Sequence, residues 1–257
     1  MRVSVCTCVS TAADLLESCI NSLMVNAGMT DFDLIVVTWN ASPDVLAWLH
    51  DNRWVHHEVY ETNPDVGYVP NVRGEINKTF DAGFAMNDFC VRTDADVVFG
   101  RNWLKELVQW ADENVIVSPQ HITPIKGPHV ITADLGTIAS PDFDALEFLR
   151  LVDKHRRPGE LQTEEQRGGW LNTLTMPYVM HRKWWEACGP WELTGIGKRI
   201  DPPDRRFFTR CHEAGAKFSM AMGSVVYHQE GAERKRKTRP AGAEAMPEEG
   251  VNHAQSS

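Results

Sequence analysis

Apolar and polar positions follow two alternating rhythms along the first half of the chain. Val3, Val5 and Val9 mark a first strand over Met1 to Ser10. Leu15, Leu16, Cys19, Ile20, Leu23 and Met24 then recur at helical spacing and predict a helix from Asp14, stopped by Gly28. Leu34-Ile35-Val36-Val37 is a short unbroken apolar run, as carried by a strand buried on both faces, and it ends in Thr38-Trp39-Asn40. Ser42-Pro43 predicts a helix start with proline at the first helical position, and Val45, Leu46 and Leu49 give that helix an inner face. Asn63 to Pro70 reads as a turn-rich loop and Asn71 to Ala85 as a helix. Phe89 to Phe99 is an apolar run broken by Asp94 and Asp96. A capped helix from Asn102 and a strand at Val115-Ile116-Val117 follow. Strand and helix in alternation predict an α/β domain, its parallel sheet covered on both faces through right-handed crossovers.

The second half is less regular. Pro119, Pro124, Pro128, Pro141 and Pro158 interrupt it. A short helix is expected over Phe143 to Val152, an irregular loop over His155 to Gly169, and a strand over Leu174 to Met180. A helix over Lys183 to Cys188 stops at Gly189-Pro190, and another runs from Asp204 to Ala214. Phe218 to Tyr227 gives one or two closing strands. The basic run Arg234 to Arg239 is followed by Pro, Ala, Gly and Glu, which cannot enter a core, so residues 233–257 are expected to form a disordered tail beyond a domain of residues 1–232.

Composition narrows the function classes. The 257 residues are 42% hydrophobic and 24% charged, ordinary for a globular domain. A net charge of −9 argues against general attraction to nucleic acid or anionic membrane. No apolar run is long enough to span a bilayer, and Asp14 and Glu17 break the N-terminal pattern a signal peptide would need. Six cysteines without a Cys-x-x-Cys pair argue against structural zinc and a disulfide scaffold, and a reducing cytoplasm is expected.

The candidate chemistry lies at predicted strand ends. Ligands of open α/β sheets bind beyond the carboxyl ends of the strands. Thr7 to Ser10, Thr38 to Asn40 and Asp94 to Asp96 all fall there, so three polar clusters converge on one crevice. Asp94 and Asp96 offer two hard oxygen donors one residue apart, suited to Mg²⁺ or Mn²⁺, which in turn neutralises a diphosphate.

With these motifs in order, the chain resembles a GT-A glycosyltransferase of the family 2 type over roughly residues 3 to 231. Val3-Ser4-Val5 with the helix after it resembles the opening of that fold. Leu34-Ile35-Val36-Val37 through Asn40-Ala41-Ser42-Pro43-Asp44 resembles the second strand and its loop. Gly67-Tyr68-Val69-Pro70-Asn71-Val72-Arg73 is similar to the lead-in to the metal strand, and Asp94-Ala95-Asp96 to the Asp-x-Asp motif. Trp185 to Trp191, Asp204 to Gly215 and Val225-Val226-Tyr227-His228 resemble the later helix and turn, the helix with the acceptor-side carboxylate, and the closing strand with its histidine. Four positions depart from the pattern. Thr38 stands where the uracil-binding Asp falls, Gly74 replaces an Asn, Pro203 a Glu, and Arg206 a second Asp.

The resemblance implies the GT-A (nucleotide-diphospho-sugar transferase) fold, with a mostly parallel central sheet flanked by helices. Residues 1–118 would form a nucleotide-sugar-binding half and 119–232 an acceptor-side half. It implies metal-dependent transfer of a sugar from a UDP- or GDP-sugar donor to a hydroxyl. Asp96 and His228 would hold Mn²⁺ or Mg²⁺, with Asp94 on the metal, through water, or on the ribose. Thr7, Val9, Thr38, Asn40 and Ala95 would line the nucleotide. Arg73 would contact phosphate or position Asp94, and Trp170 would wall the sugar. Asp204, or Asp201 in its place, would act as general base for an inverting reaction. The acceptor stays open among a glycan, a small molecule and, for a phage protein, a hydroxylated DNA base. Two other readings stand beside this one. A nucleotidyltransferase would carry a glycine-rich basic loop, which Ser10-Thr11-Ala12-Ala13-Asp14 is not. A non-catalytic nucleotide-sugar-binding module fits the missing carboxylates at 38 and 206.

Overall fold

The computed structural model describes residues 1–60, 72–127, 129–191 and 203–229, with backbone only for 72–75 and 203. The turn-rich loop at 63–70, the side chain of Arg73, Asp201 and the 233–257 tail therefore lie outside the described residues.

Parallel strands β1 (Val3–Cys8), β2 (Phe32–Trp39), β3 (His56–Tyr60) and β4 (Phe89–Asp94) form one half of the sheet in the order β3-β2-β1-β4. Helices α1 (Ala13–Asn26), α2 (Pro43–Asp51) and α3 (Val72–Met86) connect them. The apolar runs of β1 and β2 are buried on both faces, as their unbroken pattern predicts. β3 was not anticipated. Its alternating exposed positions place it at the sheet's edge, with His56 and His57 at the surface.

The other half is mixed rather than parallel. It contains β5 (Val97–Phe99), α4 (Trp103–Val108), β6 (Val115–Thr123), β7 (Ile131–Thr132), α5 (Ala145–His155), β8 (Leu161–Thr163), β9 (Tyr178–His181), α6 (Arg182–Cys188), α7 (Pro203–Glu213) and β10 (Lys217–His228). The sheet continues β4-β9-β6-β10-β5, with β9 antiparallel to β4 and β6, and with β5 and β8 antiparallel to β10. β10 runs parallel to β6, so its C-terminal end points the same way as those of β1 and β4. Among the described residues three apolar clusters pack on the sheet: one around Leu16, Ile20, Trp103 and Leu104, a second around Phe80, Tyr178, Phe207 and Phe208, and a third around Leu15, Phe148, Leu151 and Tyr227. No helix among the described residues is long and apolar enough to cross a membrane.

β10 carries an irregularity that matters for the site. Ala221 pairs with Pro119 but Val225 pairs with Gln120, so three extra residues bulge out of β10. Side chains along a strand alternate faces, and an odd insertion reverses which face each later residue takes. Ala221 accordingly packs in the first cluster with Val226, while Phe218 belongs to the second. The bulge turns the even-numbered end of the strand, including His228, to the α1 face.

Candidate metal and donor site

β4 ends at Asp94. Ala95 and Asp96 form a tight turn and β5 starts at Val97. The antiparallel pairing of β10 with β5 sets His228 opposite Val97, and Gln229 donates its backbone N–H to the Asp96 carbonyl at 3.1 Å. His228 thereby reaches the turn from 132 residues away: its Nε2 lies 3.1 Å from Asp96 Oδ1 and 3.8 Å from Asp94 Oδ2. One potential ligand atom from each of Asp94, Asp96 and His228 lies within 4.8 Å of the other two. Two carboxylates and an imidazole this close suit a hard-to-borderline divalent cation such as Mn²⁺ or Mg²⁺. The three residues expected to share a metal are thus brought together.

Asp94 is held from below by a residue the sequence reading passed over. Arg92 sits two positions earlier on the same face of β4 and is 1% exposed. Its Nη2 donates to Asp94 Oδ1 at 2.5 Å, its Nη1 meets Met176 Sδ at 3.1 Å, and its guanidinium lies 5.9 Å from the Trp191 ring. Burial works against the cation, but the Asp94 carboxylate together with Cys8 and Tyr178 more than reverses this and keeps the guanidinium charged. Asp94 therefore offers Oδ2 toward His228 while Oδ1 is occupied. On the other side Cys19 of α1 places its Sγ 3.6 Å from the Asp94 carbonyl, and burial beside Asp96 and Asp94 raises its thiol pKa far above the usual range.

The loops expected to converge do so. Val9 donates to the Val37 carbonyl, Asn40 to that of Tyr60, and Ser42 to that of Ser10, tying the loops after β1 and β2 together beside Asp94. Thr7 pairs with Thr93, and Thr7 and Thr38 are buried with hydroxyls that make no hydrogen bond among the described residues. Val9 and Ala95 are core positions by side chain and can reach a ligand only by backbone. Asn40 has φ 49°, a left-handed conformation that asparagine tolerates.

Asp204 lies in the first turn of α7 and accepts from the Arg205 N–H at 2.8 Å. The buried Tyr178 hydroxyl has its pKa raised, first by burial. Arg92 opposes that rise, while Asp204 and Asp94 add to it, so one phenol lies within electrostatic reach of both carboxylates. Trp170 is not brought to the cluster. Its ring packs on Phe218 and His212, 5.1 and 5.7 Å between centroids, and Phe218 lies at the opposite end of β10 from His228. The ring contacts it makes among the described residues are packing contacts. His121, also unanticipated, lies beside His228 with ring centroids 5.1 Å apart and planes tilted by 36°, and burial plus the neighbouring His228 push its pKa down to about 3. The signal for His121 was a histidine in a strand end, but the prolines around it concealed that strand.

No protein-family model matches the chain, and no curated protein matches it in sequence. Solved structures do match in shape. S. aureus TarS (residues 1–349) superposes with a TM-score of 0.58 at 14% identity, over 92% of this chain and 63% of that one. GalNAc-T7 with UDP, GalNAc and Mn²⁺ gives 0.54 at 11%, over 89% and 44%. The mannosyltransferase PcManGT from Pyrobaculum calidifontis, in complex with GDP-Man and Mn²⁺, gives 0.54 at 16%, over 88% and 56%. The chain thus spans less than two thirds of each of these structures. Sheet order, strand-end cluster and superposition agree on architecture: this chain has the GT-A fold of the glycosyltransferases.

Proposed function

We propose that this protein is a metal-dependent glycosyltransferase that moves a sugar from a nucleoside-diphosphate donor to an acceptor hydroxyl. The observation that carries the reading is the Asp94–Asp96–His228 cluster at the carboxyl ends of a GT-A sheet. Those three residues would hold Mn²⁺ or Mg²⁺, which supplies Lewis acidity to the departing diphosphate. Arg92 fixes Asp94 so that one oxygen faces the site. Thr7, Thr38 and Asn40 would line the nucleotide, their hydroxyls and amide offering hydrogen bonds where the strands end, and Arg73 would meet the phosphates. Asp204 would take the proton from the acceptor hydroxyl as it attacks, with Asp201 as the other candidate base. UDP- and GDP-sugars are the donor classes to try first, since UDP and GDP-Man accompany Mn²⁺ in two of the matching structures.

The test is a thermal-shift screen of UDP-, GDP- and dTDP-sugars with and without Mn²⁺. A ligand at a hundred times its Kd stabilises by about 2.7 kcal/mol. The expected result is a shift that needs both nucleotide sugar and metal, lost in Asp96→Ala while that variant still melts cooperatively. Asp204→Asn should keep the shift and lose turnover. Stabilisation without turnover in the unsubstituted protein would make it a binding module instead.

A further inference from the structure

His121 is a buried polar side chain that its surroundings do not satisfy. It lies near the C-terminal end of β6, in register with Val226 of β10, two residues before His228. Side chains two apart on a strand share a face, so His121 and His228 are diagonal neighbours on the face to which the β10 bulge turns His228. His121 is 6% exposed, and its Nε2 is fully buried with no hydrogen-bond partner among the described residues. The contrast with its chain neighbour is sharp: Gln120, on the opposite face, donates to the carbonyls of both Met222 and His155 at 2.6 and 2.9 Å. Leaving a buried imidazole nitrogen unpaired costs stability, and a phenylalanine or leucine there would not incur that cost. A residue that departs from the packing rule beside a ligand cluster marks a contact the fold itself does not make. His121 is not a fourth member of the close ligand set, which among the described residues comprises Asp94, Asp96 and His228.

Resting on the glycosyltransferase reading, we propose that His121 is a binding residue of the same site: its ring nitrogen exchanges a hydrogen bond with an O–H group held beside His228. That group is a water on the cation or a hydroxyl of the donor sugar. Both are oxygen-bearing partners for an imidazole one ring's distance from a metal ligand. Either tautomer serves, because an O–H group both donates and accepts.

The test compares His121→Phe and His121→Gln with the unsubstituted full-length chain. Three quantities are read: affinity for Mn²⁺ alone by electron paramagnetic resonance, affinity for UDP, GDP and the stabilising nucleotide sugar by calorimetry with Mn²⁺, and Tm. The expected result is that His121→Phe melts at or above the original Tm yet binds about tenfold more weakly, the effect of one hydrogen bond to a bound group, and that His121→Gln recovers part of the loss. Weakening already seen with Mn²⁺ alone identifies the water. Weakening confined to the nucleotide sugar, with the bare diphosphate unchanged, identifies the sugar hydroxyl. A lower Tm with all affinities unchanged, in either variant, makes His121 a packing residue and overturns the proposal alone. Failure of the unsubstituted chain to bind Mn²⁺ or any nucleotide sugar removes the parent reading, and this one with it.

Discussion

A guanidinium almost wholly removed from water makes Arg92 the residue whose loss the fold should feel most at the site. Arg92→Met keeps the length and removes the charge, leaving Asp94 without its buried partner. Because the Asp94 side chain stays 31% exposed, the cost falls below that of a fully buried broken pair and should be on the order of 2 kcal/mol in denaturant unfolding. Asp33 gives a pH-dependent counterpart far from the site. Burial opposes its charge, but Asn87 and Arg2, at 2.8 and 2.6 Å, more than offset this and lower its pKa. A carboxylate with a depressed folded-state pKa stabilises above its unfolded pKa of about 3.9, and that contribution disappears as pH falls through the folded value. Asp33→Asn should therefore lose about 1 kcal/mol at pH 7, with the two melting curves converging under acid. At this scale the sequence was readable where chemistry is written in spacing: Asp94, Asp96 and His228 meet as their order implied. Arg92 was hidden because an arginine between Val91 and Thr93 looks like any polar break in a strand. Only the pairing of β4 with β1 and β9 reveals that it is enclosed.

Among the elements, β10 decides the most. Its bulge is knitted by the Met222 N–H donating to the Glu160 carbonyl at 2.9 Å, by the Arg157 N–H donating to the Met222 carbonyl at 2.8 Å, and by Arg156 Nε donating to the Gly223 carbonyl at 3.1 Å. Arg156 also pairs at 3.0 Å with the buried Glu106 of α4. A Cβ on Gly223 would stand 2.2 Å from Glu106 Oε2 and 3.0 Å from the Pro158 backbone, with no room for either. Gly223→Ala should destabilise by about 2 kcal/mol, measurable by chemical denaturation, and should weaken Mn²⁺ binding as well, because the same bulge aims His228. Apart from the edge strand β3, whose largely exposed positions carry little apolar signal, the strands and helices of the first half were legible because each carries one clean period. β8 and the extension of β6 to Thr123 were not, since prolines and short polar stretches mask them. The bulge was only half visible: Gly223-Ser224 break the apolar run from Phe218 to Tyr227, which left one or two strands open, and only the register with β6 shows that Met222 to Ser224 are three extra residues within one strand.

For the molecule as a whole, the parallel half of the sheet followed from alternation of elements, while the antiparallel insertion of β9 between β4 and β6 did not. Strand order is set by long-range pairing that local pattern does not encode. That insertion sets Tyr178 beside Arg92, and Tyr178 in turn packs on Phe80 of α3 and Phe208 of α7, so residues from both ends of the chain meet beside β4. Mn²⁺ with a nucleotide sugar should therefore slow amide exchange in β4 and in β10 together, read by hydrogen–deuterium mass spectrometry. Protection confined to the loop at 94–96 would contradict a site shared by both halves.

The sequence separation of 132 positions between Asp96 and His228 carries a temporal consequence. During synthesis the two aspartates leave the ribosome long before the histidine that completes their constellation. A nascent chain cannot bring the three side chains together until β10 is laid beside β5 and β6. If the cluster holds a metal as proposed, loading would wait until that strand is in place, and a half-made polypeptide would offer the ion only the two aspartates.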